Sequence, residues 1–244
     1  MGRPFPSPGG GGQAGISMRM LKRILDGRPG VGGQLGYFGL AGWWQDAFSA
    51  AERQRMEAAF NGAADNGGNR MLARGEKQSP FGSAAALLAA LTESLSNRPE
   101  DRHLACRVLG KAEERARAEQ DVLGLFSAYH QAIRLHCKWK EDFADSVDLA
   151  FAACHKQIRL APEAAEALRR RSPGAALPTH LGYLQAANML EQQGAYLRAI
   201  EVCRQAEAEG WSGNWAWRVQ RMAKKAGSDV YGVRSISSSG MGPV

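Results

Sequence analysis

The sequence has no long hydrophobic run. None of its apolar stretches approaches the roughly 18 residues that a membrane-spanning helix needs. The first residues, MGRPFPSPGGGG, contain no apolar core of the kind that a secretory signal has. Pro6 stands where a myristoylation signal prefers Ser or Thr. We therefore expect a cytoplasmic protein that does not bind a membrane.

Cysteine is also scarce, with four residues among 244 and no CxxC pair. Each cysteine falls in a helical pattern, so in a reducing compartment we expect small buried hydrophobic side chains rather than disulfides. A metal site is the alternative, but only His103 and Cys106 have a ligand-like spacing. We therefore expect no metal and no cofactor. The candidate ligands of that alternative are His103, Cys106, His136, Cys137, Cys154 and His155.

Catalytic motifs are missing from the sequence. It contains no GxxxxGK[ST], HExxH or GxSxG. The segment GRPGVGG at 27–33 superficially resembles a glycine-rich phosphate loop, but no strand pattern precedes it and no Lys-Ser/Thr follows it. We therefore expect a protein that is not an enzyme.

Glycine becomes rare after the first third of the chain. Eighteen of the 29 glycines lie in residues 1–82. Since glycine loses the most backbone entropy on ordering, the first third should be rich in loops and the remainder helical. The sequence predicts a disordered tail at 1–15, a Gly/aromatic-rich segment with short helices at 16–80, a helical domain at 81–226 and a disordered tail at 227–244.

Aromatic residues alternate with glycines in the segment GQLGYFGLAGWWQDAF. They could form an exposed ligand platform, but a small core that closes one end of the helical domain is the favoured interpretation, because so many exposed rings would aggregate. Before this segment, residues 16–26 predict a short basic amphipathic helix, for which docking on the protein is favoured over lying on a membrane. After it, Ser49 and Glu52 predict a capping box, and residues 61–80 predict a loop.

The remaining sequence has helical periodicity. Asp121 and Thr179 are candidate N-caps, and the stretch SPGAALP predicts a linker. The predicted helices span about 82–95, 99–119, 121–140, 144–159, 162–171, 179–193, 196–209 and 214–226.

A helical pattern of small residues occurs twice, 49 positions apart. Repetition at a fixed spacing is typical of stacked helix pairs that bury their apolar faces against neighbouring pairs. The first copy is Val147, Ala150, Cys154 and Gln157, and the second copy is Tyr196, Ala199, Cys203 and Ala206.

The segment HLGYLQAANMLEQQGAYLRAIEVCRQAEAEGW resembles a tetratricopeptide repeat. Tyr183 matches the aromatic residue of the first helix, Ala187 the small residue and Gly194 the turn, whereas Trp211 stands where the family usually has proline. The preceding unit, which ends at Pro162, resembles the family less closely, and residues 99–119 could belong to a third pair. The resemblance implies an all-α fold: a short, irregular, right-handed array of antiparallel helix pairs.

The resemblance also implies a function, since tetratricopeptide arrays hold peptide segments in a groove lined by the first helix of each pair. Asn188 occupies a position where the family often hydrogen-bonds a ligand backbone. On the preceding unit, His130, Arg134 and Lys138 are spaced four apart and share one helix face. We expect a protein or peptide partner of acidic character, although a solvated face explains the same pattern. The candidate groove residues are His130, Arg134, Lys138, Gln185, Asn188 and Gln192.

Nucleic-acid binding is the alternative function, because the formal net charge is +7. Aromatic residues beside cations can stack bases, and Trp211, Trp215 and Trp217 adjoin a basic helix. The favoured interpretation of the same helix is a cap that ends the array, with its charges in solvent. The candidate contacts are Arg218, Arg221, Lys224 and Lys225. The sequence leaves the identity of the partner and the oligomeric state open.

Overall fold

The computed structural model describes residues 30–62 and 71–237, and this part of the chain is all-α with very little strand. Its residues from Gly32 onward belong to one compact unit. Within the described ranges no helix combines the length and the apolar character needed to cross a membrane. The helices are α1 (Gly33–Tyr37), α2 (Ala41–Ala47), α3 (Ala50–Gly62), α4 (Ala84–Leu95), α5 (Arg102–Ala118), α6 (Val122–Lys138), α7 (Ser146–Arg159), α8 (Ala161–Arg171), α9 (Leu181–Gln192), α10 (Tyr196–Ala208) and α11 (Trp215–Ser237), with a 3₁₀ turn at Pro99–Asp101 and two short strands, β1 (Leu177–Thr179) and β2 (Trp211–Ser212).

Helices that follow one another in the chain form packed pairs. The pairs are α4 with α5, α6 with α7, and α9 with α10, and α11 packs on α10. Successive pairs also touch, because α4 packs against α6 and α7 packs against α9. This arrangement of adjacent pairs is compatible with a helical repeat fold.

Six of the eight residues of the 49-residue repeat are buried, whereas Val147 is 41% exposed and Tyr196 is partly exposed. Ala150, Cys154 and Gln157 on α7 are at most 1% exposed, and Cys203 and Ala206 on α10 are fully buried. Small side chains at these positions let each second helix approach its neighbours closely. The predicted stripe is therefore buried in both copies except at its first residue, Val147 or Tyr196.

An inserted helix and a strand explain why the repeat spacing is 49 residues. Helix α8 and β1 lie between the pair α6–α7 and the pair α9–α10. The strand β1 pairs in parallel with β2, with Leu177 opposite Trp211. The predicted linker SPGAALP therefore ends in a strand. Thr179 belongs to that strand, so its prediction as an N-cap is wrong: the cap of α9 is His180, whose Nδ1 accepts from the Tyr183 N–H at 3.2 Å.

Local capping signals proved accurate elsewhere. The Ser49 N–H donates to Glu52 Oε2 at 2.7 Å and the Glu52 N–H donates to Ser49 Oγ at 3.3 Å, so the predicted capping box is present. Asp121 Oδ1 accepts from the Gly124 N–H at 2.8 Å, which confirms Asp121 as the cap of α6. These contacts satisfy backbone donors that the first turn of a helix cannot pair internally.

The Gly/aromatic-rich segment forms a small core rather than an open platform. Trp44 is 2% exposed and Phe48 is 3% exposed, whereas Tyr37 is 55% exposed. Two glycines let this segment press against the loop 71–75. A Cβ on Gly32 would come within 2.3 Å of the Gly75 carbonyl oxygen, and one on Gly33 would come within 2.4 Å of the Met71 carbonyl oxygen.

The C-terminal helix is longer than the sequence pattern indicates. We expected a tail from residue 227 onward, but α11 continues to Ser237. A single glycine in a helix costs only about 1 kcal/mol, so Gly227 does not end it. The expectations for residues 1–15, for the helix at 16–26, and for residues 63–70 and 238–244 lie outside the described residues.

Candidate binding groove

Three adjacent hollows follow one face of α4, α6 and α9, and we call them together the groove. The first hollow has a volume of about 700 Å³. The second, of about 270 Å³, shares Cys137 and Gln185 with the first. The third, of about 380 Å³, shares Ser94 and Asn97 with the first and extends to α3. The first and third hollows are each in the size range of roughly 300–1,000 Å³ that is typical of ligand sites.

Helical spacing places the groove residues on one side of their helices. On α6, Arg134 and Lys138 are four residues apart, and both line the first hollow. On α9, Gln185 and Gln192 are seven residues apart and line the second hollow together with Asn188. Other faces of these helices carry the core, which contains the fully buried Leu135 and Tyr183 among others.

The structure brings five of the six predicted groove residues into this one groove. They come from two helix pairs: Arg134 and Lys138 from α6, and Gln185, Asn188 and Gln192 from α9. His130 is the exception, since it lines none of these three hollows. Burial and the nearby Arg134 guanidinium lower the pKa of His130, so this side chain is neutral at pH 7.

Five side-chain amides line the groove. An amide group offers both donors and an acceptor, so it can hydrogen-bond the N–H and C=O groups of an extended peptide. Three amides line the first hollow: Gln131 on α6, Gln185 on α9, and Asn97 just after the end of α4. The amide residues of the groove are Asn97, Gln131, Gln185, Asn188 and Gln192.

The groove carries an excess of positive charge. Five basic and two acidic side chains line the three hollows. One acidic residue, Asp101, is buried and pairs with Arg55. The other, Glu93 of α4, lies 2.6 Å from Arg134 of α6 (Oε1 to Nη1), and each of these two side chains is about half exposed. Lys138 Nζ of α6 contacts Asn97 Oδ1, two residues after the end of α4, at 3.4 Å.

The basic residues of α11 contact polar residues of α9. Arg218 Nη1 donates to Asn188 Oδ1 at 2.7 Å. Arg221 and Lys225 both pair with Glu191, and the Lys225 Nζ to Glu191 Oε1 distance is 2.8 Å. Burial raises the pKa of the Glu191 carboxyl, but these two cations outweigh it and hold that pKa below its ordinary value.

Arg218, Arg221 and Lys225 are therefore engaged within the protein. Lys224, the remaining candidate nucleic-acid contact, is exposed on the same helix and also has an interaction within the chain. Trp211 and Trp215 are buried, whereas Trp217 is 57% exposed and lies under the Arg221 guanidinium.

No family model, curated protein or solved structure matches the chain. The groove must therefore be interpreted from its own geometry.

Sequence reasoning missed the contribution of α4. Glu93 and Asn97 lie in a region where the repeat pattern was not recognised, so nothing in the sequence related them to α6. Gln131 was detectable, because it lies three residues before Arg134 on the same helix. Among the described residues, no three His, Cys, Asp or Glu side chains are grouped so that they could hold a metal ion.

Proposed function

We propose that this protein is a non-enzymatic interaction module that holds an extended protein segment in the groove. In this proposal the pairs α4–α5, α6–α7 and α9–α10 form a short tetratricopeptide-like array, and α4, α6 and α9 are the first helices of their pairs. The packing of α4 on α6 and of α7 on α9 supports this stacking order.

The observation that carries the proposal is the continuity of an amide-lined groove across three helix pairs. A small ligand would need only one hollow, whereas the groove joins three hollows through shared residues such as Asn97 and Gln185. A peptide in extended form repeats its backbone groups every roughly 3.3–3.6 Å, which suits a row of amides. The excess of basic side chains favours a segment with acidic residues.

The contacts of α11 favour this proposal over nucleic-acid binding. Arg218, Arg221 and Lys225 would each have to leave a partner on α9 before contacting phosphates. A surface that tracks a phosphate backbone normally presents several unpaired cations along one face.

The test is selection of peptides on the full-length protein. A phage-displayed library of random linear peptides of about twelve residues, which span roughly 40 Å when extended, is panned on the wild type. Selected peptides are then synthesised with a fluorescent label, and their binding is measured by anisotropy. We expect binding to fall at least about ten-fold in the double variant Gln131→Ala/Gln185→Ala, which removes two amides of the groove, because each lost hydrogen bond contributes roughly 1 kcal/mol.

Gln220→Ala is the matched control, since Gln220 is an exposed amide of α11 that lines none of the three hollows. Equal binding by the wild type and the groove double variant would refute the proposal, as would a selection that enriches no peptide. A labelled single-stranded oligonucleotide is measured in parallel. Tight binding of that oligonucleotide with a steep dependence on salt would instead support the nucleic-acid alternative.

A further inference from the structure

The Glu93–Arg134 pair lies inside the groove rather than beside it. Both side chains line the first hollow, and their contact joins α4 to α6. Apart from Asp101, which is buried against Arg55, Glu93 is the acidic residue among the lining residues of the three hollows. A carboxylate of this chain thus occupies the position beside Arg134 that an acidic ligand would take.

We propose that Glu93 is an internal competitor for the bound segment. An Asp or Glu side chain of the ligand replaces Glu93 beside Arg134, and Glu93 turns into solvent. This inference rests on the proposed function. It adds that the ligand carries Asp or Glu and that Glu93 pairs with Arg134 while the groove is empty.

The environment of the pair makes the exchange possible. Arg134 and Glu93 are 51% and 52% exposed, so each remains hydrated whether or not it has a partner. An exposed ion pair of this kind changes a binding constant by about five-fold at most, so a ligand that makes further contacts can displace Glu93 from Arg134. The buried Asp101 is unsuited to the same exchange, because removing its partner would leave a charge without hydration.

Neighbouring cations make the exchange favourable for a second acidic residue as well. The Lys138 ammonium has a long contact, 3.4 Å, with the Asn97 amide oxygen and lies 5.2 Å from the centre of the Trp139 ring. Lys140 lines the second hollow, two residues beyond the end of α6. A segment that runs from α4 towards α9 therefore passes Arg134, Lys138 and Lys140 in turn.

The experiment compares two synthetic peptides on four variants of the full-length protein. The first peptide is the tightest binder from the phage selection, and the second is its copy with every Asp and Glu changed to Asn and Gln. The groove variants are Glu93→Gln and Arg134→Gln. The controls are Glu166→Gln and Arg170→Gln, which remove one charge each from an ion pair of α8 with a similar distance, 2.8 Å, and even greater exposure.

We expect the selected peptide to contain Asp or Glu and to bind Glu93→Gln about two- to five-fold more tightly than the wild type, since its competitor is gone. Arg134→Gln should bind it about two- to five-fold more weakly. The amide copy should bind both groove variants and the wild type equally. Neither control should change the affinity by a similar factor, and thermal unfolding should show that all four variants are folded.

Other outcomes overturn the inference without affecting the proposed function. Selected peptides that bind the groove but contain no more Asp and Glu than the library would exclude an acidic ligand. Unchanged or weaker binding of the acidic peptide to Glu93→Gln would exclude competition. Equal tightening of both peptides by Glu93→Gln would mean that Glu93 only obstructs the groove, and equal tightening by Glu166→Gln would mean that total charge is responsible.

Discussion

The buried amide of Gln157 connects three helices, and its removal is the sharpest test of the fold. Gln157 Oε1 accepts from the Gly182 N–H at 2.7 Å, and Gln157 Nε2 donates to the Phe126 carbonyl oxygen at 3.2 Å. The side chain belongs to α7, while its partners lie in the first turns of α9 and α6. Gln157 is fully buried, so water cannot replace either contact. The pair α6–α7 is thus joined to α9 by polar contacts as well as by packing.

Gln157→Leu keeps most of the side-chain volume and removes both contacts. An unpaired buried N–H costs about 1–3 kcal/mol, and the loss of the second hydrogen bond costs about 1 kcal/mol. We therefore expect the free energy of unfolding to fall by about 3 kcal/mol. With a urea m-value of about 2–3 kcal/mol/M, the unfolding midpoint should fall by about 1 M or slightly more.

Urea denaturation followed by circular dichroism measures this change. Gln220→Leu is the control, because Gln220 is exposed and its substitution should alter stability by at most about 0.5 kcal/mol. If Gln157→Leu were no more destabilising than the control, the joint between α7 and α9 would not depend on the amide, and the reasoning would be refuted.

Two further predictions concern buried histidines and a close backbone contact. Burial lowers the pKa values of His136 and His180 to about 4, so the unfolded chain takes up protons first as the pH falls below 6.5. Stability should be complete above about pH 6.5 and should decrease by about 2 kcal/mol per histidine by pH 5. Urea midpoints that do not fall between pH 7 and pH 5 would contradict this. Gly33→Ala should destabilise the protein by at least about 2 kcal/mol, because φ is +55° and the new Cβ would lie 2.4 Å from the Met71 carbonyl oxygen. Gly39→Ala, at φ +68° with nothing nearby, is the control and should cost only about 1 kcal/mol; an equal loss of melting temperature in both variants would argue against the close contact.

The helices were predictable because their signals are local. The capping box of Ser49 and Glu52 involves residues three apart, and Asp121 caps the turn that follows it. The burial of Cys154 on α7 and of Cys203 on α10 follows from the helical periodicity of each segment alone. Such signals depend on short stretches of sequence, so they can be recognised without knowledge of the tertiary structure.

The features that could not be predicted depend on contacts between distant segments. Leu177 pairs with Trp211 in strands of three and two residues, which are too short to show an alternating pattern. The sequence predicts that Arg134 and Gln185 share one groove only through its resemblance to tetratricopeptide repeats. Glu93 escaped notice because its partner lies 41 residues away on another helix. The contacts between α11 and α9 likewise arise from packing, and no spacing in the sequence indicates them.

The glycine contact near the start of the described chain has a topological consequence. The N–H groups of residues 32–35 donate to carbonyl oxygens of residues 71–75, at distances of 2.9 to 3.2 Å. Leu35, Met56 and Leu72 are essentially fully buried. We therefore expect that the two fragments of a chain cut between Gly62 and Met71 remain associated through these contacts, like the subunits of a heterodimer.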